Sequence, residues 1–157
     1  MSSKRLQIKQ ALKSKLQAIQ INNGYHNDLN VVTYGYLPPT KVVEKPAVCM
    51  ISLTMPVAPL TSSEYTSGAT RDSLDGWPIA IIGYVQSDKD EEALATEMEN
   101  LIEDIMVCLL ADHTLGLPNF VNNCYLINID EVVDAEQNSG SVMVTFMIKY
   151  DFDKGVP

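Results

Sequence analysis

The sequence predicts an α+β fold. One domain over residues 1–157 would form a two-layer sandwich, with a mainly antiparallel sheet of four to five strands carrying two helices on one face, in the order α-β-β-β-α-β-β. Three stretches carry this expectation. Leu94, Met98, Leu101, Ile105 and Cys108 recur at alternating spacings of four and three, which is the stripe of an amphipathic helix. Val142, Val144, Phe146, Ile148, Tyr150 and Phe152 alternate with Ser141, Met143, Thr145, Met147, Lys149 and Asp151, the two-residue period of a half-buried antiparallel strand. Residues 46–53, PAVCMISL, are a nearly continuous apolar run between turn residues and read as a buried central strand.

In chain order, the first helix is expected over residues 3–20. Ile8, Leu12, Leu16 and Ile19 fall on one face, with Lys4 and Lys15 along one edge of that stripe and Lys9 and Lys13 along the other. Asn22, Asn23 and Gly24 tolerate positive φ and end it. Residues 28–36, DLNVVTYGY, read as a strand closed by Pro38 and Pro39. After the central strand, residues 54–76 lose all periodicity and are rich in Ser, Thr, Gly and Pro; a segment this long either orders on assembly, as an extended arm, or stays a mobile loop. Residues 77–85 form a third strand that starts at the only Trp, a packing anchor.

The long helix is expected over residues 88–110, capped by Ser87 or Asp88, with Asp88, Asp90, Glu91 and Glu92 in the first turn where the helix dipole favours acids. It would be roughly 34 Å long at ~1.5 Å per residue. Residues 105–111 are all apolar, so this end must be covered all round, by the other helix or by a neighbouring copy of the chain. CYLINIDEVV, residues 124–133, pairs with the last strand through DAEQNSG, where Asn138 and Gly140 suit a hairpin turn or bulged loop.

The formal net charge is −9, yet Lys4, Arg5, Lys9, Lys13 and Lys15 give the first fifteen residues +5 and leave −14 for the rest. Eight acids on the long helix face only Lys89 there, so the first helix's lysines either pair with those acids, within the chain or across a subunit boundary, or are simply solvated. A nucleic-acid wrapper needs the opposite balance. No apolar run is long enough for a membrane span, and the first helix lacks the Trp and Phe of a membrane-surface helix. The cations at the N-terminus precede no apolar run, so no cleaved leader is expected. Cys49, Cys108 and Cys124 lie in apolar runs without paired spacing and read as reduced core thiols.

No catalytic constellation emerges. His113 beside Asp112 reads as a turn, two histidines and three scattered thiols lack zinc spacing, and no lysine-bearing glycine loop cradles phosphate. Asp130, Glu131, Asp134 and Glu136 cluster near the hairpin without the spacing of a calcium loop. Neither catalytic residues, nor a metal, nor any cofactor is expected. Met143 and Met147, on the outward side of the last strand, mark either a contact surface or a face covered by a helix.

The chain resembles the tail terminator, or tail completion, proteins of tailed bacteriophages. The likeness lies in QALKSKLQAI, VVTYGYLPPT, PAVCMISL, the long Ser/Thr/Gly loop, the strand and acid-started helix IAIIGYVQSDKDEEALATEMENLIEDIMVCLL, the turn Asp112, Thr114, Leu115, Gly116, and the closing MVTFMIKYDF. The resemblance implies a non-enzymatic virion protein that works in the host cytoplasm during assembly. It would form a homo-hexameric ring on the tail tube, stop tube growth and meet the head or neck connector, and the sheath in a contractile tail. DNA would pass through a hexamer carrying −54, six times −9, without specific binding. Residues expected at the assembly interface are Lys4, Lys9 and Lys13 on the first helix, Tyr65 and Arg71 in the loop, Met106 and Leu110 in the apolar helix end, and Met143 and Met147 on the last strand. Alternatives are another head-to-tail connector component and, from a different class, a small ligand-binding regulatory domain, which would need an anion nest or glycine-rich loop that the sequence lacks.

Overall fold

The computed structural model describes residues 3–53 and 71–153. Its elements are helix α1 (Lys4–Gln17), strands β1 (Val31–Thr33), β2 (Ala47–Ser52) and β3 (Arg71–Gln86), helix α2 (Glu91–Leu110), and strands β4 (Val121–Asp134) and β5 (Ser139–Asp153). The α+β class and the order of elements are as the sequence predicts. The sheet runs β1-β2-β3-β5-β4. All neighbours are antiparallel except β1 and β2, which are parallel.

Local chemistry sets the helix starts. Ser3 caps α1, its Oγ accepting from the Leu6 amide at 3.1 Å. The cap of α2 is Asp90, later than the expected Ser87 or Asp88: its carboxylate accepts from the Ala93 amide at 2.8 Å. Ser87 instead is largely buried and takes the Lys89 amide, so it closes the turn that precedes the helix.

Both helices lie on one face. Ile8, Leu12, Leu16 and Ile19 meet the α2 stripe, and together they cover Val48 and Met50 of β2, Ile79 and Ile81 of β3, and Val142, Val144, Phe146 and Ile148 of β5. Glycine sets how near α2 comes. A Cβ on Gly83 would stand 2.5 Å from Leu101 Cδ2, and one on Gly140 2.6 Å from Met98 Sδ. Gly140 is therefore a strand residue under the helix, and the backbone of the hairpin turn reverses at Asn138, with φ +48°.

The first strand is shorter than expected because the chain leaves the sheet at Tyr34. Residues 34–46 cross the opposite face, the span a parallel connection requires. Leu37 and Val42 then pack there on the cluster of Ala47, Cys49 and Tyr84, and the Tyr84 hydroxyl donates to the Leu37 carbonyl at 2.8 Å.

Candidate functional site

Three cations of α1 lie against aromatic rings. Arg5 lies 4.1 Å over the Trp77 ring, Lys4 5.4 Å over Phe120 and Lys13 5.5 Å over Tyr34; Lys15 reaches Asp112, past the end of α2, at 4.0 Å. Aromatic rings flank the stripe where the sequence suggested carboxylates, and a ring face holds a cation without neutralising it.

The α2 acids are engaged elsewhere. Asp104 is buried, its carboxylate accepting from the backbone amides of His26 (2.9 Å) and Asn27 (3.0 Å) and from the Asn27 side chain (2.9 Å). Sequence reasoning counted Asp104 among the surface acids. The missed signal was its register, for it stands within the stripe between Leu101, Ile105 and Cys108. Glu103 meets His26 at 3.3 Å, and the Cys108 thiol donates to the Lys15 carbonyl at 3.0 Å, tying α2 to α1.

The apolar end of α2 is covered on one side only. Ile105 and Leu109 are fully buried and Met106 is half-buried against the core, but Val107 is 54% exposed and Leu110 41%. The expected all-round cover is absent within the described residues because α1 packs on one flank and the sheet on another. The last strand departs from expectation in the opposite sense. Met147 is only 6% exposed and Met143 half-buried, since β5 runs between β3 and β4 and its outward side chains are hemmed by both. Tyr65 lies outside the described residues, and Arg71 is described only by its backbone, paired with Asp153 at the start of β3.

Two open surfaces stand out among the described residues. On the face away from the helices, a shallow groove of about 370 Å³ runs between Pro39, Thr40 and Lys45 on one wall and Val132 and Asp134 on the other, floored by Tyr84 and Ser141. The second is the edge of β4, a 14-residue strand that among the described residues is bonded only to β5. Its distal half is exposed on both faces, including Ile127, Ile129, Val132 and Val133. No lysine or arginine occurs in residues 121–148, whereas Asp130, Glu131, Asp134 and Glu136 do. Glu131 is pressed against Glu99 of α2, and the hydrogen bond between the two carboxyl groups, with their repulsion, raises the Glu131 pKa.

Burial pushes all three thiols up, Cys124 to about 12, so none is a ready thiolate. Asp112, which stands beside His113, spends its carboxylate on its own turn, accepting from Thr114 and from the Gly116 amide. Those bonds hold its pKa below the usual range. Among the described residues no three His, Cys, Asp or Glu side chains are grouped to hold a metal, and no helix is long and apolar enough to cross a membrane. Compared with known proteins, the chain matches no family model and no curated sequence.

Proposed function

We propose that the chain is a structural virion protein of a tailed bacteriophage, a tail terminator that caps the tail tube as a homo-hexameric ring. It ends tube growth and forms the surface that joins the head or neck connector, with the sheath as a further neighbour in a contractile tail. DNA passes through without specific binding. The chain works in the host cytoplasm during assembly and then resides in the virion.

The observation that carries this reading is the β4 edge. The helices satisfy their shared face of the sheet within the chain, yet among the described residues a 14-residue strand has one side unpaired and several apolar side chains exposed. Its acids and bulges guard it against a like edge, but Ile127, Ile129, Val132 and Val133 leave an exposed apolar row that suits a contact with a different surface of another subunit. The order of elements and the acidic body agree with it. Another head-to-tail connector would share these properties and differ in its position in the virion.

The test is tube growth. Tail-tube protein of the same phage, polymerising in the presence of this chain, is expected to give tubes of arrested length bearing the chain at one end. Tubes that lengthen as they do without it, and carry none of it, would refute the reading.

A further inference from the structure

We propose that copies of this chain associate head to tail, the free β4 edge of one receiving the basic α1–β1 edge of the next. The inference rests on the ring reading above for its closure only; the two surfaces are argued from this chain alone.

The sheet has two lateral ends. At one, β4 has no strand partner among the described residues on the side away from β5, and Ile127, Ile129, Val132 and Val133 are exposed beside that edge. Its charges are all negative, and Glu99 on α2 adds to them where it meets Glu131. At the other end lies β1, with α1 beside it: Lys13 stacks on Tyr34, the residue that follows β1, and Lys9 stands one turn earlier on the same side of α1. Farther along the helix Arg5 and Lys4 turn away from this edge, over Trp77 and Phe120, so its positive charge rests on Lys9 and Lys13.

These charges decide the symmetry. A two-fold contact of β4 with β4 would set Asp130, Glu131 and Asp134 against their own copies, and like charges opposed across strands destabilise. The edge is guarded against itself and open to a cation-bearing surface. A basic edge from a second copy supplies the countercharge that the Glu99–Glu131 pair lacks among the described residues. Because the two surfaces differ and sit at opposite ends of one sheet, the contact is heterologous, and repetition closes a ring or runs on as a filament.

Charge exchange tests this on the full chain. One variant carries Asp130→Lys with Glu131→Lys, and a second carries Lys9→Glu with Lys13→Glu. Sedimentation at low salt is expected to find the unsubstituted chain as a closed oligomer and each variant alone as a monomer, a loss of the assembled species. An equimolar mixture is expected to restore the original mass, since both kinds of junction are then again opposite in charge. Amide exchange on the unsubstituted chain gives a measure free of substitutions, with assembly slowing exchange in β4 and at the α1–β1 edge. A monomer at every concentration, a variant that still assembles, a mixture of folded variants that stays monomeric, or unchanged exchange at β4 would each overturn the inference. Rings that persist in both variants would remove this interface and leave the tail-terminator reading standing, whereas intact rings that fail to stop tube growth would do the reverse.

Discussion

Asp104 of α2 holds Asn27 by two hydrogen bonds, one from its backbone amide at 3.0 Å and one from its side-chain amide at 2.9 Å, and takes the His26 amide as well at 2.9 Å. This buried carboxylate pins the segment that carries the chain from α1 into β1. Replacing Asp104 by Ala leaves buried donors without an acceptor, so urea unfolding is expected to show a loss of about 3 kcal/mol, with Asp104→Asn between the two. A loss under about 0.5 kcal/mol for the Ala variant, the size of an ordinary surface change, would contradict the clamp.

Gly83 is the tightest point between helix and sheet, because an added Cβ meets both Leu101 Cδ2 at 2.5 Å and Val142 Cγ2 at 3.1 Å. Gly83→Ala should cost about 1–3 kcal/mol through overpacking. Gly140→Ala should cost less, since it meets only Met98, whose flexible chain can turn aside. Thermal melts of the two variants rank them, and the opposite order would contradict the packing described.

Alkaline pH should unfold the chain through its thiols. Burial holds Cys124 near 12 against an ordinary 9.0, and raises Cys49 and Cys108 as well. A raised acid binds its proton more tightly when folded, so this stability is complete below pH 9 and is lost as pH rises from there toward 12. Tyr84, raised by its own burial, adds to the loss from pH 10 upward. Denaturation midpoints taken across this window should fall less steeply in Cys124→Val than in the unsubstituted chain. Equal slopes would show that the thiol is not shielded.

Leu109 and Leu110 are adjacent on α2 but differ in cover. Leu109 is fully buried, and a carboxylate there is expected to prevent folding. Leu110 is 41% exposed, and Leu110→Asp should cost about 1 kcal/mol, with helix content kept. Circular dichroism and melting of the two variants check this, and equal damage would mean that the helix end is covered on every side.

Periodicity made much of this legible. The α2 stripe and the continuous apolar run of β2 are realised as buried elements, whereas β5 keeps the strand but is buried on both faces over residues 144–148. What depends on distant partners was not legible. The parallel pairing of β1 with β2 follows from a crossover that the sequence shows only as a Pro-bounded turn. The α1 cations met aromatic rings because Trp77, Phe120 and Tyr34 come from three separate segments. The free β4 edge is likewise invisible locally, since nothing in CYLINIDEVV distinguishes an edge strand from a central one until the sheet order places it last.

The central claim is that this chain closes a tail tube as a ring. Electron microscopy of isolated tail tubes of the same phage, imaged with and without the purified chain, tests it most directly. The expected result is an added six-fold ring at one end of each tube, after which further tube protein no longer adds there. Bare tube ends that continue to accept tube protein in the presence of excess folded chain would contradict it.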